Sequence, residues 1–172
     1  SVRAYVPTAN VKVFPIGLDF NGYSLSAQEG RTLLYLSRIS PVKGLDLLAE
    51  AWGRVAIGSR GEGAHGWKLV IAGPDDRGYK ATIEKVFAAK CPAGSYEFRD
   101  PVFGEAKLKL LSSADAFILP TRNENWGIAV AEAMASALPV ICTKGAPWEC
   151  LETEHAGWWT ETRAGGIEGA IQ

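Results

Sequence analysis

Two glutamates, Glu124 and Glu132, form an E-x7-E pattern in the run ENWGIAVAEAMA, which covers residues 124–135. The residues around Glu132 are almost all apolar, and burying a carboxylate among them is costly unless it is paired. An ionised carboxylate only accepts hydrogen bonds, so it suits two neighbouring hydroxyl groups such as those of a ribose. We therefore expect Glu132 to bind such a hydroxyl pair. For Glu124, just before the helix, two roles are open: binding a second sugar, or accepting N–H groups of its own loop.

A simpler interpretation of the two glutamates exists. Glu124 would only complement the dipole of the following helix, and Glu132 would be a surface residue. This interpretation fits Glu124 well but Glu132 poorly, because Ile128–Ala131 and Ala133–Ala135 leave little polar face.

Two cations upstream, Arg38 and Lys43, form an R-x4-K pattern in the run SRISPVKGLD. Arg38 ends a predicted strand, and Lys43 precedes a predicted helix whose first amides are free to face an anion. Two cations and a helix start at the carboxyl end of a strand suit a diphosphate. Two solvated loop charges are the alternative. Gly127, at the start of the later helix, would let a phosphate approach the backbone.

Short apolar runs alternate with amphipathic segments along most of the chain. The pattern predicts strands at 32–38, 67–73, 95–100, 115–120, 139–143 and 157–160, and helices at 43–55, 78–90, 104–114, from about 126 onward and at 145–152. A further strand-like run, VKVFPI, covers 11–16, and a loop covers 58–66. This alternation predicts a Rossmann-like α/β fold, a parallel β-sheet flanked by helices on both faces. Ligands of such folds bind beyond the carboxyl ends of the strands.

The composition excludes several classes of function. The chain has 172 residues and a formal net charge of -1, so it has no general attraction for nucleic acid. No run is long enough to cross a membrane. No G-x-G-x-x-G follows a predicted strand, and the P-loop pattern G-x-x-x-x-G-K-[ST] does not occur. His65 and His155 lack ligand spacing and are interpreted as solvated residues.

The ordered motifs resemble those of a known family. The runs SRISPVKGLDLL and PTRNENWGIAVAEAMASALPVI, with PIGLD before them and LVIAGPDD between them, are similar to the C-terminal domain of retaining GT-B glycosyltransferases of the group 1, or GT4-like, family. The similarity runs from about Val11 to about Ile171. The resemblance implies that residues 1–172 are the nucleotide-sugar donor-binding half of a GT-B fold, without its N-terminal acceptor-binding domain. The first residue, Ser1, and an end within a helix pattern also favour a piece of a longer polypeptide.

The resemblance also implies a role for each candidate residue. Arg38 and Lys43 would bind the donor diphosphate, Glu124 the donor sugar and Glu132 the nucleotide ribose. Backbone at Asn125, Trp126, Gly127 and Ile128 would meet sugar and phosphate, and backbone at 100–102, ending at Val102, would flank the base. The donor would be a UDP-, GDP- or ADP-linked sugar. No metal is implied, since cationic side chains and a helix dipole neutralise the leaving diphosphate.

The chain departs from the family pattern at three places. Asn125 stands where glycine is common, so we expect it to alter donor-sugar choice or to add a hydrogen bond. Trp126 replaces another aromatic residue and is interpreted as packing rather than sugar stacking. Trp148 is inserted beside Glu149 in the run GAPWE. Trp158 and Trp159 suit either the core or a contact with the missing domain.

The sequence is compatible with two candidate functions. The first is a fragment of a retaining glycosyltransferase that acts on a sugar, lipid or glycan acceptor, as in polysaccharide biosynthesis. The second is a standalone module that binds a nucleotide or nucleotide-sugar without turnover. A flavodoxin-like regulatory domain is disfavoured by the combined motifs. The resemblance implies a cytoplasmic protein, with peripheral membrane contact at the inner face made largely by the absent domain.

Overall fold

The computed structural model describes residues 17–19, 21–24, 30–58 and 66–172. The strand-like run at 11–16 and residues 59–65 of the predicted loop lie outside this part of the chain. The strands are β1 (Thr32–Leu36), β2 (Lys68–Ala72), β3 (Tyr96–Arg99), β4 (Ala116–Leu119), β5 (Val140–Thr143) and β6 (Gly157–Thr160). The helices are α1 (Leu45–Gly58), α2 (Tyr79–Lys90), α3 (Gly104–Ser112), α4 (Ile128–Ala135), α5 (Cys150–Thr153) and α6 (Ala164–Ile171), with a 3-10 turn at Pro41–Lys43.

The six strands form one parallel sheet in the order β3-β2-β1-β4-β5-β6. The central strands are continuous apolar runs because helices cover both of their faces. Leu34 of β1, for example, is fully buried and lies opposite Val70 of β2 on one side and Phe117 of β4 on the other. The predicted parallel α/β sheet is confirmed.

The order of the strands reverses between β1 and β4. From β1 the chain moves outward through α1 and α2 to β3, and from β4 it moves outward the other way through α4 and α5 to β6. Right-handed crossovers in opposite directions place these two sets of helices on opposite faces of the sheet. The helix α6 then packs against α1. A crevice forms where the order reverses, beyond the carboxyl ends of β1 and β4.

Two helices begin later than the prediction for a structural reason. The helix expected from residue 43 begins at Leu45, because Pro41–Lys43 first forms the tighter 3-10 turn. The helix expected at 145–152 is only Cys150–Thr153. The preceding residues turn sharply, and Gly145 lies so close to the next loop that a Cβ there would be 2.1 Å from the carbonyl oxygen of Thr121.

No helix in the described ranges is long and apolar enough to cross a bilayer.

Candidate functional site

The turn after β1 and the loop after β4 are joined through backbone contacts. The amide of Arg122 donates to the carbonyl of Val42 at 2.8 Å, and the Thr121 hydroxyl donates to the same carbonyl at 3.2 Å. Gly44 makes this approach possible, since its φ is +69° and a Cβ would lie 2.0 Å from the carbonyl oxygen of Pro120. The two loops therefore form a single fixed surface at the crevice.

An ion pair between Lys43 and Glu124 lies on this surface. Both side chains are largely buried, with 10% and 21% of their surface exposed. The amide of Glu124 donates to the carbonyl of Gly145 at 2.8 Å, and its Oε1 accepts the amide of Asn125 at 3.2 Å. Lys43 is thus not a solvated loop charge, and that alternative is wrong for it. Glu124 also does accept an N–H of its own loop, and it carries a specific cation partner that the sequence did not reveal.

The helix α4 begins beside this ion pair. Gly127 precedes its first residue in a left-handed conformation (φ 85°), as expected for a helix that begins near Trp126 and Gly127. The first N–H groups of an α-helix have no partner inside the helix, and its N-terminus carries a partial positive charge. A cavity of about 290 Å³, lined by Ser37, Leu119 and residues 124–129, lies at this helix start.

Arg38 lies at the end of β1, on the exposed rim. Its carbonyl accepts the Tyr35 hydroxyl at 2.8 Å, and burial raises the pKa of Tyr35 far above its usual range, so that this hydroxyl remains a donor. Within the described part of the chain, the Arg38 guanidinium forms no ion pair. An exposed Arg38 agrees with the alternative of a solvated loop charge as well as with the expected diphosphate role.

Glu132 lies in the second turn of α4 and is buried. Its Oε1 accepts the Tyr23 hydroxyl at 3.1 Å and the Lys107 ammonium at 2.5 Å. Burial, together with the charge of Glu132, raises the pKa of Tyr23 to about 12. The interpretation of Glu132 as a surface residue is therefore wrong.

Sequence reasoning missed both partners of Glu132. A lysine in the first turn of α3 was a usable signal, because α3 and α4 both begin beyond the carboxyl ends of the strands. Tyr23 belongs to an irregular segment, and nothing in its spacing indicated a contact with Glu132.

A second cross-loop pair also escaped the sequence analysis. Arg122 donates to both carboxylate oxygens of Asp46, at 2.7 and 2.6 Å, and to the carbonyl of Pro41 at 2.9 Å. Hydrogen bonds from Arg122 hold the pKa of Asp46 below its usual range. This pair fastens the start of α1 to the loop that carries Glu124.

The aromatic residues near the site pack against one another. The rings of Trp126 and Trp148 have centroids 5.5 Å apart, and the Trp148 Nε1 donates to the carbonyl of Trp126. Trp126 therefore packs against Trp148, and it also lines the cavity at the start of α4. Trp159 donates to the carbonyl of Ala146 at 2.8 Å, whereas Trp158 is about half exposed, with 49% of its surface accessible.

The remaining predicted residues lie at the edges of the site. Asn125 and Ile128 are exposed beside the helix start, and 44% of the surface of Ile128 is accessible. Val102 lies just before α3 and packs against the core, in the segment that leads to Lys107. In the described ranges, no group of three or more His, Cys, Asp or Glu side chains is placed to hold a metal ion.

Comparisons with known proteins show the family of this chain. A family model described as "Glycosyl transferases group 1" matches residues 30–171. A D-inositol 3-phosphate glycosyltransferase of Actinosynnema mirum is 27% identical over 146 residues, which are 77% of this chain and 35% of the relative. A GDP-mannose:cellobiosyl-diphosphopolyprenol alpha-mannosyltransferase of Xanthomonas campestris is 28% identical over 155 residues, 87% of this chain and 38% of the relative. The chain thus spans roughly a third of the length of these curated relatives.

Solved structures show the same fold. The C-terminal domain of a group 1 family protein (LpcC) from Francisella tularensis superposes with a TM-score of 0.75 at 20% identity, covering 89% of this chain and 85% of that one. Sucrose-phosphate synthase from Thermosynechococcus elongatus superposes with a TM-score of 0.84 at 20% identity, covering 99% of this chain and 45% of that one. The predicted fold, one half of a GT-B arrangement, is confirmed.

Proposed function

This chain belongs to the group 1 glycosyltransferases, and we propose that it is the donor-binding domain of a retaining enzyme of that family. The enzyme would transfer a sugar from a nucleotide-sugar to a sugar, lipid or glycan acceptor. One observation carries the proposal: the ion pair of Lys43 and Glu124 lies beside the N-terminus of α4, at the crevice where the strand order reverses. A cation and a helix start suit the diphosphate, and a carboxylate suits the hydroxyls of the sugar.

The diphosphate is assigned to Lys43, Arg38 and the first N–H groups of α4. A lysine ammonium has three donors, so Lys43 can donate to a phosphate while it keeps its bond to Glu124. Arg38 adds a charge from the rim of the crevice. Negative charge grows on the diphosphate as its bond to the sugar breaks, and donors fixed in advance stabilise it at that moment.

The transferred sugar is assigned to the cavity at the start of α4. Its volume of about 290 Å³ lies next to Glu124, whose carboxylate is held by Lys43 and by the amide of Asn125. Glu124 would accept hydrogen bonds from the hydroxyls of the sugar. The exposed Asn125 side chain stands at the same place and would influence which sugar fits.

The nucleotide is assigned to the other side of α4. Glu132 would accept the ribose hydroxyls, and the backbone that ends at Val102 would flank the base. Within the proposed mechanism the charge on the leaving group is balanced by Arg38, Lys43 and the helix dipole. The acceptor and the groups that orient it would come from a second domain.

A thermal-shift series tests the proposal directly. The natural chain is heated with UDP-, GDP- and ADP-sugars, and one base is expected to raise Tm. Lys43→Met is expected to abolish the shift, whereas Lys68→Met, which removes a lysine from an exposed pair with Glu97, should preserve it. A chain that responds to none of these donors contradicts donor binding. Turnover of a labelled donor by this chain alone would exclude the alternative of a pure binding module.

A further inference from the structure

We propose that Tyr23 and Lys107 are positioning residues for Glu132, holding one carboxylate oxygen so that the other is presented to a pair of ribose hydroxyls. The inference rests on the proposed function, in which Glu132 binds the nucleotide ribose. It adds two residues to the nucleotide site and says how each acts through the glutamate.

The two hydrogen bonds meet on the same oxygen. The Tyr23 hydroxyl and the Lys107 ammonium both donate to Oε1, at 3.1 and 2.5 Å. No described residue donates to Oε2. A carboxylate has acceptor sites on both oxygens, so the arrangement leaves one oxygen fully available for a ligand.

The free oxygen is not sealed inside the protein. Among the described residues, the only buried side-chain nitrogen or oxygen without a hydrogen-bond partner is the Ser40 hydroxyl. Because Oε2 has no partner among the described residues and is not one of these buried atoms, it retains contact with solvent. The Glu132 side chain is 11% exposed, so its opening to solvent is small.

The charges around Glu132 favour the same arrangement. A carboxylate buried on an apolar helix is stable in its ionised form only with a compensating cation, and Lys107 supplies it. Tyr23 contributes a neutral donor, since its hydroxyl stays protonated in this environment. The two residues come from different segments, so together they fix the rotation of the carboxylate as well as its position.

A comparison of nucleotides with and without the ribose hydroxyls distinguishes an effect on the position of Glu132 from an effect on the stability of the protein. Affinities for UDP, GDP and ADP are measured beside their 2′,3′-dideoxy forms, which lack the hydroxyl pair. The natural chain is expected to prefer the ribonucleotide of its base about 10- to 100-fold, the range for hydrogen bonds to a charged group. Tyr23→Phe should reduce that preference about 3-fold or more, and Lys107→Met should reduce it about 10-fold. In both variants the affinity for the dideoxynucleotide should change less than about 2-fold.

Matched variants control for unrelated effects. Tyr96→Phe removes a tyrosine hydroxyl from the aromatic cluster with Phe87 and Phe98, and Lys109→Met removes an exposed lysine from α3. Both should keep the natural ribose preference. Lys107→Arg keeps a cation beside Glu132 and should restore much of what Lys107→Met loses.

Each outcome bears on a distinct claim. A natural chain that binds no nucleotide overturns the proposed function, and the present inference with it. A natural chain that prefers ribose, combined with a Tyr23→Phe variant that prefers it equally, overturns the inference alone. Should Lys107→Met fail to fold because Glu132 is left unpaired, Tyr23→Phe, which changes no charge, decides the matter.

Discussion

Lys43 and Glu124, 81 residues apart in sequence, form an ion pair that joins the turn after β1 to the loop after β4. The pair assembles the crevice from two distant segments, and it places a cation and a carboxylate at the start of α4. Since both side chains are largely buried, each charge depends on the other for its solvation. The pair therefore serves both the stability of the fold and the proposed donor site.

The first prediction concerns the stability of this pair. Lys43→Met and Glu124→Gln should each lower the free energy of unfolding by about 2–4 kcal/mol, because each leaves an opposite, partly buried charge unpaired. The double variant should lose much less than the sum of the two. Urea unfolding of the four proteins measures this interaction energy.

The exposed pair of Lys68 and Glu97 provides the comparison. Both of its side chains are at least a third exposed, so Lys68→Met should change the free energy of unfolding by less than about 1 kcal/mol. Additive losses at Lys43 and Glu124 would show that the pair at the crevice is not energetically coupled. An equal cost at Lys68 would show that burial does not make the pair at the crevice more important than an exposed pair.

The second prediction concerns Glu132. Glu132→Gln should weaken nucleotide binding about 10-fold or more, and it should affect the stability of the fold less than it affects binding. The amide keeps one carbonyl acceptor but loses the charge that strengthens hydrogen bonds to hydroxyls. Calorimetric titration and thermal unfolding measure the two effects. Asp115→Asn is the matched control, since this carboxylate accepts the amide of Thr32 at 2.7 Å at the opposite edge of the sheet. Equal loss of binding and of stability in Glu132→Gln would contradict the ribose role.

Much of the fold was predictable because its elements have strong local signals. The strands β1, β2, β4 and β5 are continuous apolar runs, and only a sheet covered on both faces accommodates them in that form. The resemblance to a known family added an expected role for each candidate site residue. Lys43 and Glu124 were both selected as site residues, and the structure brings them into contact.

The missed features depend on tertiary contacts. Lys107 meets Glu132 only because α3 packs beside α4, and Tyr23 reaches it from an irregular segment. The ion pair of Arg122 with Asp46 likewise joins residues on different loops. The short α5 was overestimated because the apolar spacing of 145–152 is helical, whereas close packing of Gly145 against Thr121 forces a turn there. Periodicity reports local preference and does not report such contacts.

The third prediction concerns Gly127. Gly127→Ala should destabilise the protein by about 1–2 kcal/mol through its left-handed φ alone. It should also weaken donor binding, because the new Cβ would lie 3.2 Å from the Trp148 Nε1 and 3.3 Å from the Glu124 Cγ and would displace both. Urea unfolding and a nucleotide-sugar titration measure the two effects.

Gly78 is a matched control for this substitution. It precedes α2 with a φ of +83°, almost equal to that of Gly127, but a Cβ there would meet no atom within 4 Å. Gly78→Ala should therefore show the backbone cost without any loss of donor binding. If the two variants bind the donor equally well, crowding at Gly127 has no functional effect.

The last prediction concerns the pH dependence of stability through Asp46. Arg122 lowers the pKa of this carboxyl in the folded protein, so its ionised form stabilises the fold at pH values above about 4, its ordinary range in an unfolded chain. The contribution is lost as pH falls from about 4 through the lowered folded pKa. Asp46→Asn should therefore be less stable than the natural chain at neutral pH and equally stable in strong acid. The difference at neutral pH should be about 0.5–1 kcal/mol, because both side chains of the pair are about two-fifths exposed. The same comparison in an Arg122→Met background should show a smaller change with pH, because only the backbone N–H groups of Asp46 and Leu47 then lower the pKa of this carboxyl. An undiminished pH dependence in that background would assign the effect to another group.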